Sequence, residues 1–128
     1  MPPSPAPLVL LIDDNADNRE MYALKLTHSG FEVLQAEDGV EALALAAALL
    51  PSVAVTDLRM PGDVSAAEVC RHLRERDVPV IALTGVPPGD EHEDMWRAGC
   101  AVVLMKPLSP EMLITQIRDV LTPRASRP

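Results

Sequence analysis

Four short apolar runs punctuate the chain, at Leu8–Ile12, Val53–Thr56, Val80–Leu83 and Val102–Met105. They are continuous rather than alternating, the pattern of strands covered on both faces of a sheet. Phe31–Gln35 reads as a weaker strand at or near the sheet edge. Between the runs lie segments of helical length with recognisable starts. Asp38 with Glu41, Ser65 with Glu68 and Asp90 with Glu93 each set a cap acceptor three residues before a glutamate. That spacing lets each side chain satisfy the other residue's unpaired backbone N–H. Ser109-Pro110 places a cap residue before a proline at the first helical position. The first helix, about Asp17 to Ser29, stops at Gly30, and the last carries an apolar stripe of Leu113, Ile114, Ile117, Val120 and Leu121. Strand then helix, five times over, predicts an α/β domain: a parallel sheet with right-handed crossovers and helices on both faces. Such a sheet binds ligands at the carboxyl ends of its strands.

The residues expected at those carboxyl ends are chemically selective. Leu8–Ile12 runs into Asp13-Asp14, Val53–Thr56 into Asp57, Val80–Leu83 into Thr84, and Val102–Met105 into Lys106-Pro107. Each alone has a plain structural reading. Asp13, Asp14 and Asn15 could cap the first helix, Asp57 could open a turn before Met60-Pro61-Gly62, Thr84 could be an ordinary strand-end hydroxyl, and Lys106 a solvated lysine. Those readings would have to hold at four strand ends at once. Three crowded carboxylates against one ammonium call for a divalent cation, and hard oxygen donors with few side-chain ligands favour Mg²⁺, with Mn²⁺ also compatible. A metal, an ammonium and a hydroxyl beside a carboxylate suit a phosphoryl group, which the carboxylate can attack to give an aspartyl phosphate. Asp57, alone on a central strand end, is the expected nucleophile.

Composition narrows the function classes. The 128 residues carry a formal net charge of −8, which argues against nucleic acid or an anionic membrane as partner. Only 2% are aromatic (Tyr22, Phe31 and Trp96), so no base-stacking platform exists. Hydrophobic residues at 48% suffice for a core, built from aliphatic side chains. Cys70 and Cys100 are too few for a disulfide scaffold or a four-ligand zinc site, and are expected as buried free thiols. Residues 1–7 hold four prolines and no basic residue, unlike a targeting peptide. No apolar run nears the roughly 18 residues of a membrane helix. The expectation is a soluble cytoplasmic domain over residues 8–122, with Pro-rich tails at 1–7 and 123–128.

The motifs Asp13-Asp14-Asn15, Asp38-Gly39-Val40-Glu41-Ala42, Asp57-Leu58-Arg59-Met60-Pro61-Gly62, Ala82-Leu83-Thr84-Gly85, Ala98-Gly99 and Lys106-Pro107 resemble those of one family. It is the receiver domain of bacterial two-component response regulators, the CheY-like fold, and the resemblance spans about residues 8–122. It implies a flavodoxin-like five-stranded sheet in the order 2-1-3-4-5. Residue by residue, it implies Asp57 as phosphoacceptor and Asp14 as a direct Mg²⁺ ligand. Asp13 would act mainly through water, and the backbone carbonyl of Arg59 would be a further ligand. Thr84 would be the switch hydroxyl, Lys106 the ion-pair partner, and the Lys106–Pro107 bond cis. Two departures stand out: six residues, Gly62 to Ala67, separate Met60-Pro61 from Glu68 where five are usual, and Val103 occupies the position of an aromatic switch residue.

The resemblance implies a phosphorylation switch rather than an enzyme. It would take its phosphoryl group from a histidine kinase or phosphotransfer protein and signal to a downstream protein target as a monomer or weak dimer. No DNA-binding segment follows Leu121, so a single-domain regulator is the leading expectation. The alternative is a receiver module of a hybrid kinase, or a phosphate sink. Two other classes fit poorly. A phosphatase of the haloacid-dehalogenase type needs an Asp two residues after its nucleophile, where Arg59 stands. A flavin or nucleotide site needs a Gly-, Ser- or Thr-rich loop where this chain has Asp13-Asp14-Asn15-Ala16-Asp17.

Overall fold

A computed structural model describes residues 6–87 and 89–122, so the two tails fall almost wholly outside the described residues. Strands and helices alternate: β1 (Leu8–Ile12), α1 (Ala16–His28), β2 (Glu32–Ala36), α2 (Gly39–Ala48), β3 (Val53–Asp57), α3 (Ala66–Arg74), β4 (Val80–Thr84), α4 (Asp90–Ala98), β5 (Val102–Met105) and α5 (Pro110–Leu121). The five strands form one parallel sheet in the order β2-β1-β3-β4-β5, as expected.

The strand pleat sorts the apolar residues into two cores, one on each side of the sheet. On one side Leu10, Ile12, Ala54, Val80 and Ala82 pack with Ala42 and Ala46 of α2, Val69 and Leu73 of α3, and Met95 of α4. On the other, Val9, Leu11, Val53, Val55, Ile81 and Leu83 pack with Tyr22 and Leu26 of α1 and Leu113 and Ile117 of α5. Cys70 and Cys100 are buried and unpaired in disulfides, and burial pushes their thiols up to about 11 and about 12. Among the described residues no helix is long and apolar enough to cross a membrane.

Several local expectations need correction. β5 is apolar but only half-buried, with Met105 exposed, because it is an edge strand lacking a neighbour on one side. β2, at the opposite edge, begins at Glu32 and extends to Ala36. α4 starts one residue earlier than the Asp90–Glu93 pairing implies. Gly89 is its N-cap, no side chain caps it, and Asp90, Glu91 and Glu93 all lie in the first turn, where they favour the helix dipole. At α2, Asp38 accepts from the Glu41 N–H at 2.8 Å, but Glu41 reaches back to the Glu37 N–H rather than to that of Asp38. Ser65 and Ser109 cap α3 and α5 as read. α1 begins at Ala16, and its cap is Asn15, which accepts from the Asn18 N–H.

Gly39 has a packing reason to be glycine. A Cβ there would lie 2.7 Å from the Val64 carbonyl oxygen, so only glycine lets the loop between β3 and α3 rest on the first turn of α2. That contact anchors the middle of the lengthened loop.

Candidate functional site

The carboxyl ends of β1, β3, β4 and β5 meet around a cleft of about 210 Å³ lined by Asp14, Asp57, Leu58, Arg59, Leu83, Thr84, Gly85, Val86 and Lys106. A larger cavity, about 440 Å³, lies at the opposite edge beside Pro79, Ala101 and Val102. Of the two, only the smaller is lined by residues of the candidate site.

Asp57 is the last residue of β3 and is buried at the floor of the cleft. The Lys106 ammonium pairs with its Oδ1 at 2.5 Å, and among the described residues no other hydrogen bond reaches that oxygen. Burial pushes the Asp57 carboxyl up to about 6; Lys106 opposes the shift and Asp13 reinforces it. Burial by itself would lower Lys106, but Asp57, Asp13 and Tyr22 outweigh it and hold the ammonium above its ordinary value.

Asp13 is buried and Asp14 exposed, as expected for successive residues leaving a strand. Asp13 Oδ1 accepts from the Asn15 N–H at 2.9 Å. Because Asn15 caps α1, neither aspartate is consumed by that role. Ligand atoms of Asp13, Asp14 and Asp57 all lie within 4.8 Å of one another. Three carboxylates that close, with only the Lys106 ammonium against them, fit a divalent cation with oxygen ligands.

Thr84 ends β4, buried, with Oγ1 accepting from the Val86 N–H at 3.1 Å. That leaves the hydroxyl proton available to a ligand. Lys106 follows β5, its N–H donating to the Thr84 carbonyl at 2.7 Å, and the Lys106–Pro107 bond is cis. Arg59 lines the cleft mouth, and its guanidinium grips Glu91 of α4 through Nη2 at 2.9 Å and Nε at 3.1 Å. The six residues named from sequence are therefore brought together.

Residues 9–118 match the response regulator receiver domain. The chain belongs to that family. This receiver domain is 31% identical over 117 residues to the polar-differentiation response regulator DivK of Brucella anthropi, covering 88% of this chain and 94% of that protein. It is 37% identical over 114 residues to a probable transcriptional regulator, ycf27, of Porphyridium aerugineum, again over 88% of this chain. The chain spans about half the length of that relative, 47%. The chemotaxis protein CheY4 of Vibrio cholerae has a similar solved structure. Its TM-score is 0.82 at 29% identity, covering 90% of this chain and 98% of that one.

Two polar residues that bond the turns beside the receiver domain's cleft escaped the sequence reading. Arg19 of α1 donates from Nη1 to the Asp13 carbonyl at 2.7 Å and from Nε to Gln35 Oε1 at 3.2 Å. Tyr22, one turn further along, donates to the Leu108 carbonyl at 2.6 Å. Both target backbone oxygens, which leave no signature in side-chain spacing. Glu91, holding Arg59 across the cleft mouth, also went unread, its partner lying 32 positions away.

Proposed function

We propose that this receiver domain is a phosphorylation switch whose phosphoacceptor is Asp57. It takes its phosphoryl group from a phosphohistidine of a kinase or phosphotransfer protein. The observation that carries this reading is the state of Asp57. It is a buried carboxylate paired with one ammonium and crowded by two further aspartates at an open cleft.

In the proposed transfer a carboxylate oxygen of Asp57 attacks phosphorus. The P–N bond to the donor imidazole breaks, and the imidazole leaves with the electron pair. Asp14, Asp13, Asp57 and the Arg59 backbone carbonyl would hold Mg²⁺, which supplies charge neutralisation to the phosphoryl oxygens. Lys106 is already poised beside Asp57 and keeps its charge throughout, so it can follow the negative charge from carboxylate to phosphoryl oxygen. Thr84 can turn its hydroxyl proton toward the same oxygens. The Val86 N–H that it now accepts from would be released or re-paired, which gives the loop after β4 a reason to move. The signal would then pass to a protein target through those rearranged loops.

Incubation with acetyl phosphate and Mg²⁺ followed by intact-mass measurement tests the assignment. One added phosphoryl group is expected, absent in Asp57→Asn. Full retention of the adduct in that variant would overturn it.

A further inference from the structure

The two hydrogen bonds from α1 have a use that the transfer step does not supply. Arg19 and Tyr22 are three positions apart, so they project from neighbouring places on one helix face. Arg19 holds the carbonyl of Asp13, at the turn bearing the acidic pair. Tyr22 holds the carbonyl of Leu108, two residues beyond Lys106. The Tyr22 ring is buried with Leu26, Phe31, Leu113 and Ile117, so its hydroxyl is delivered by a fixed wall rather than a mobile arm.

Lys106 needs such a support. Its side chain is long and loses rotamer freedom when the ammonium is held beside Asp57. The backbone that bears it is tied on one side by its own N–H to the Thr84 carbonyl at 2.7 Å. Pro107 has no N–H to offer. The next tie is the Tyr22 hydroxyl on Leu108 at 2.6 Å, before Ser109 enters the cap of α5. The hydroxyl is also close enough to Lys106, Asp13 and Asp57 to feel their charges, while burial above all raises its own pKa.

We propose that Tyr22 is a positioning residue: its hydroxyl fixes the Lys106–Leu108 turn, so that α1, bonded at Arg19 to one side of the cleft and at Tyr22 to the other, sets the spacing between the acidic pair and the ammonium. The proposal rests on Asp57 as phosphoacceptor for its catalytic consequence but not for its structural one. Preorganisation of this kind acts on rate through geometry, without contact with the reacting atoms.

Tyr22→Phe removes the hydroxyl and keeps the ring. In the metal-free protein, exchange of the Lys106 amide, which the Thr84 carbonyl holds, should quicken up to about five-fold, the loss expected for one neutral hydrogen bond. Exchange in α3 should not change. With saturating Mg²⁺ and acetyl phosphate, the phosphorylation rate should fall roughly three- to ten-fold, with Mg²⁺ affinity unchanged. In a Lys106→Met background the same substitution should cost nothing further, because the hydroxyl acts through the lysine. An equal fold-loss in both backgrounds, or unchanged exchange at the Lys106 amide, would overturn the proposal. If the wild-type domain accepts no phosphoryl group, the reading of Asp57 fails, and the exchange measurement still decides the role of Tyr22.

Discussion

At the amino-terminal edge of the sheet the turns close on themselves. The Ser52 N–H donates to the Leu8 carbonyl at 2.8 Å while Ser52 Oγ accepts from the Leu8 N–H at 3.2 Å. The N–H groups of Glu32, Ala54 and Ala101 are likewise bonded to the carbonyls of Pro7, Pro79 and Val80. At the carboxyl-terminal edge the backbone is paired just as well, with Asp13 on Ala36, Leu58 on Leu83 and Lys106 on Thr84. The side chains make the difference. One edge carries short polar groups that complete turns; the other gathers three carboxylates around a single ammonium. The backbone frame is equally sound at both ends, so the strain at the active edge is electrostatic, and a ligand of positive charge can relieve it.

On that contrast, substitutions of Asp57 and Ser52, one at each edge, should move stability in opposite directions. The largest effect is expected on metal binding. Asp14→Asn should weaken Mg²⁺ binding about tenfold or more, ~1.4 kcal/mol. Asp13→Asn should weaken it less, since Asp13 already accepts a backbone hydrogen bond from Asn15. Chemical-shift titration would order the two variants, and equal losses would break the distinction.

Next in size is stability. Asp57→Asn should stabilise the metal-free fold at pH 7.5 by about 1 kcal/mol, read from urea denaturation, because burying the carboxylate beside Asp13 costs more than its pairing with Lys106 returns. The folded Asp57 carboxyl is raised from 3.8 to about 6, so it binds its proton more tightly than the unfolded chain does. Its favourable contribution is complete below pH 3.8 and is lost as pH rises through about 6. The stability gap between variant and wild type should therefore widen from pH 4 to pH 7, and a gap independent of pH would contradict the account.

At the other edge, Ser52→Ala should cost roughly 0.5–1 kcal/mol by stranding the Leu8 N–H, with phosphorylation unaltered. Smallest in energy is the response to beryllofluoride, a phosphoryl mimic. Val103 is half-buried against Ala82 and the α4 side of the sheet, and its branched side chain has few rotamers to exchange. Amide shifts should concentrate at residues 58–65 and 85–91 rather than along β5 and α5. The opposite distribution would show that Val103 transmits the signal after all.

Much of this molecule could be read in advance because the parallel fold converts sequence into position. Once four apolar runs and one weaker strand alternate with helices, the residue ending each run is placed at one edge, and Asp57, Thr84 and Lys106 follow from that rule alone. The errors have physical causes. A continuous apolar run suggested cover on both faces, but an edge strand such as β5 has one flank without a neighbour, so Met105 stays exposed. Gly89 and Asp90 are both acceptable caps, and local spacing could not choose between them. Arg19 and Tyr22 bind carbonyl oxygens, in the second case 86 positions away, and every residue possesses a carbonyl.

The two buried thiols carry a practical consequence for chemistry in solution. With values pushed up to about 11 and about 12, Cys70 and Cys100 are almost entirely protonated at neutral pH, and it is the thiolate that reacts. Their thiolate fraction at pH 7 is on the order of one part in ten thousand or less. Peroxide and alkylating reagents should therefore pass the native domain by. A single cysteine introduced on the exposed loop at Asp63 would take a maleimide fluorophore selectively, turning the loop beyond Asp57 into an optical reporter without first mutating the native cysteines.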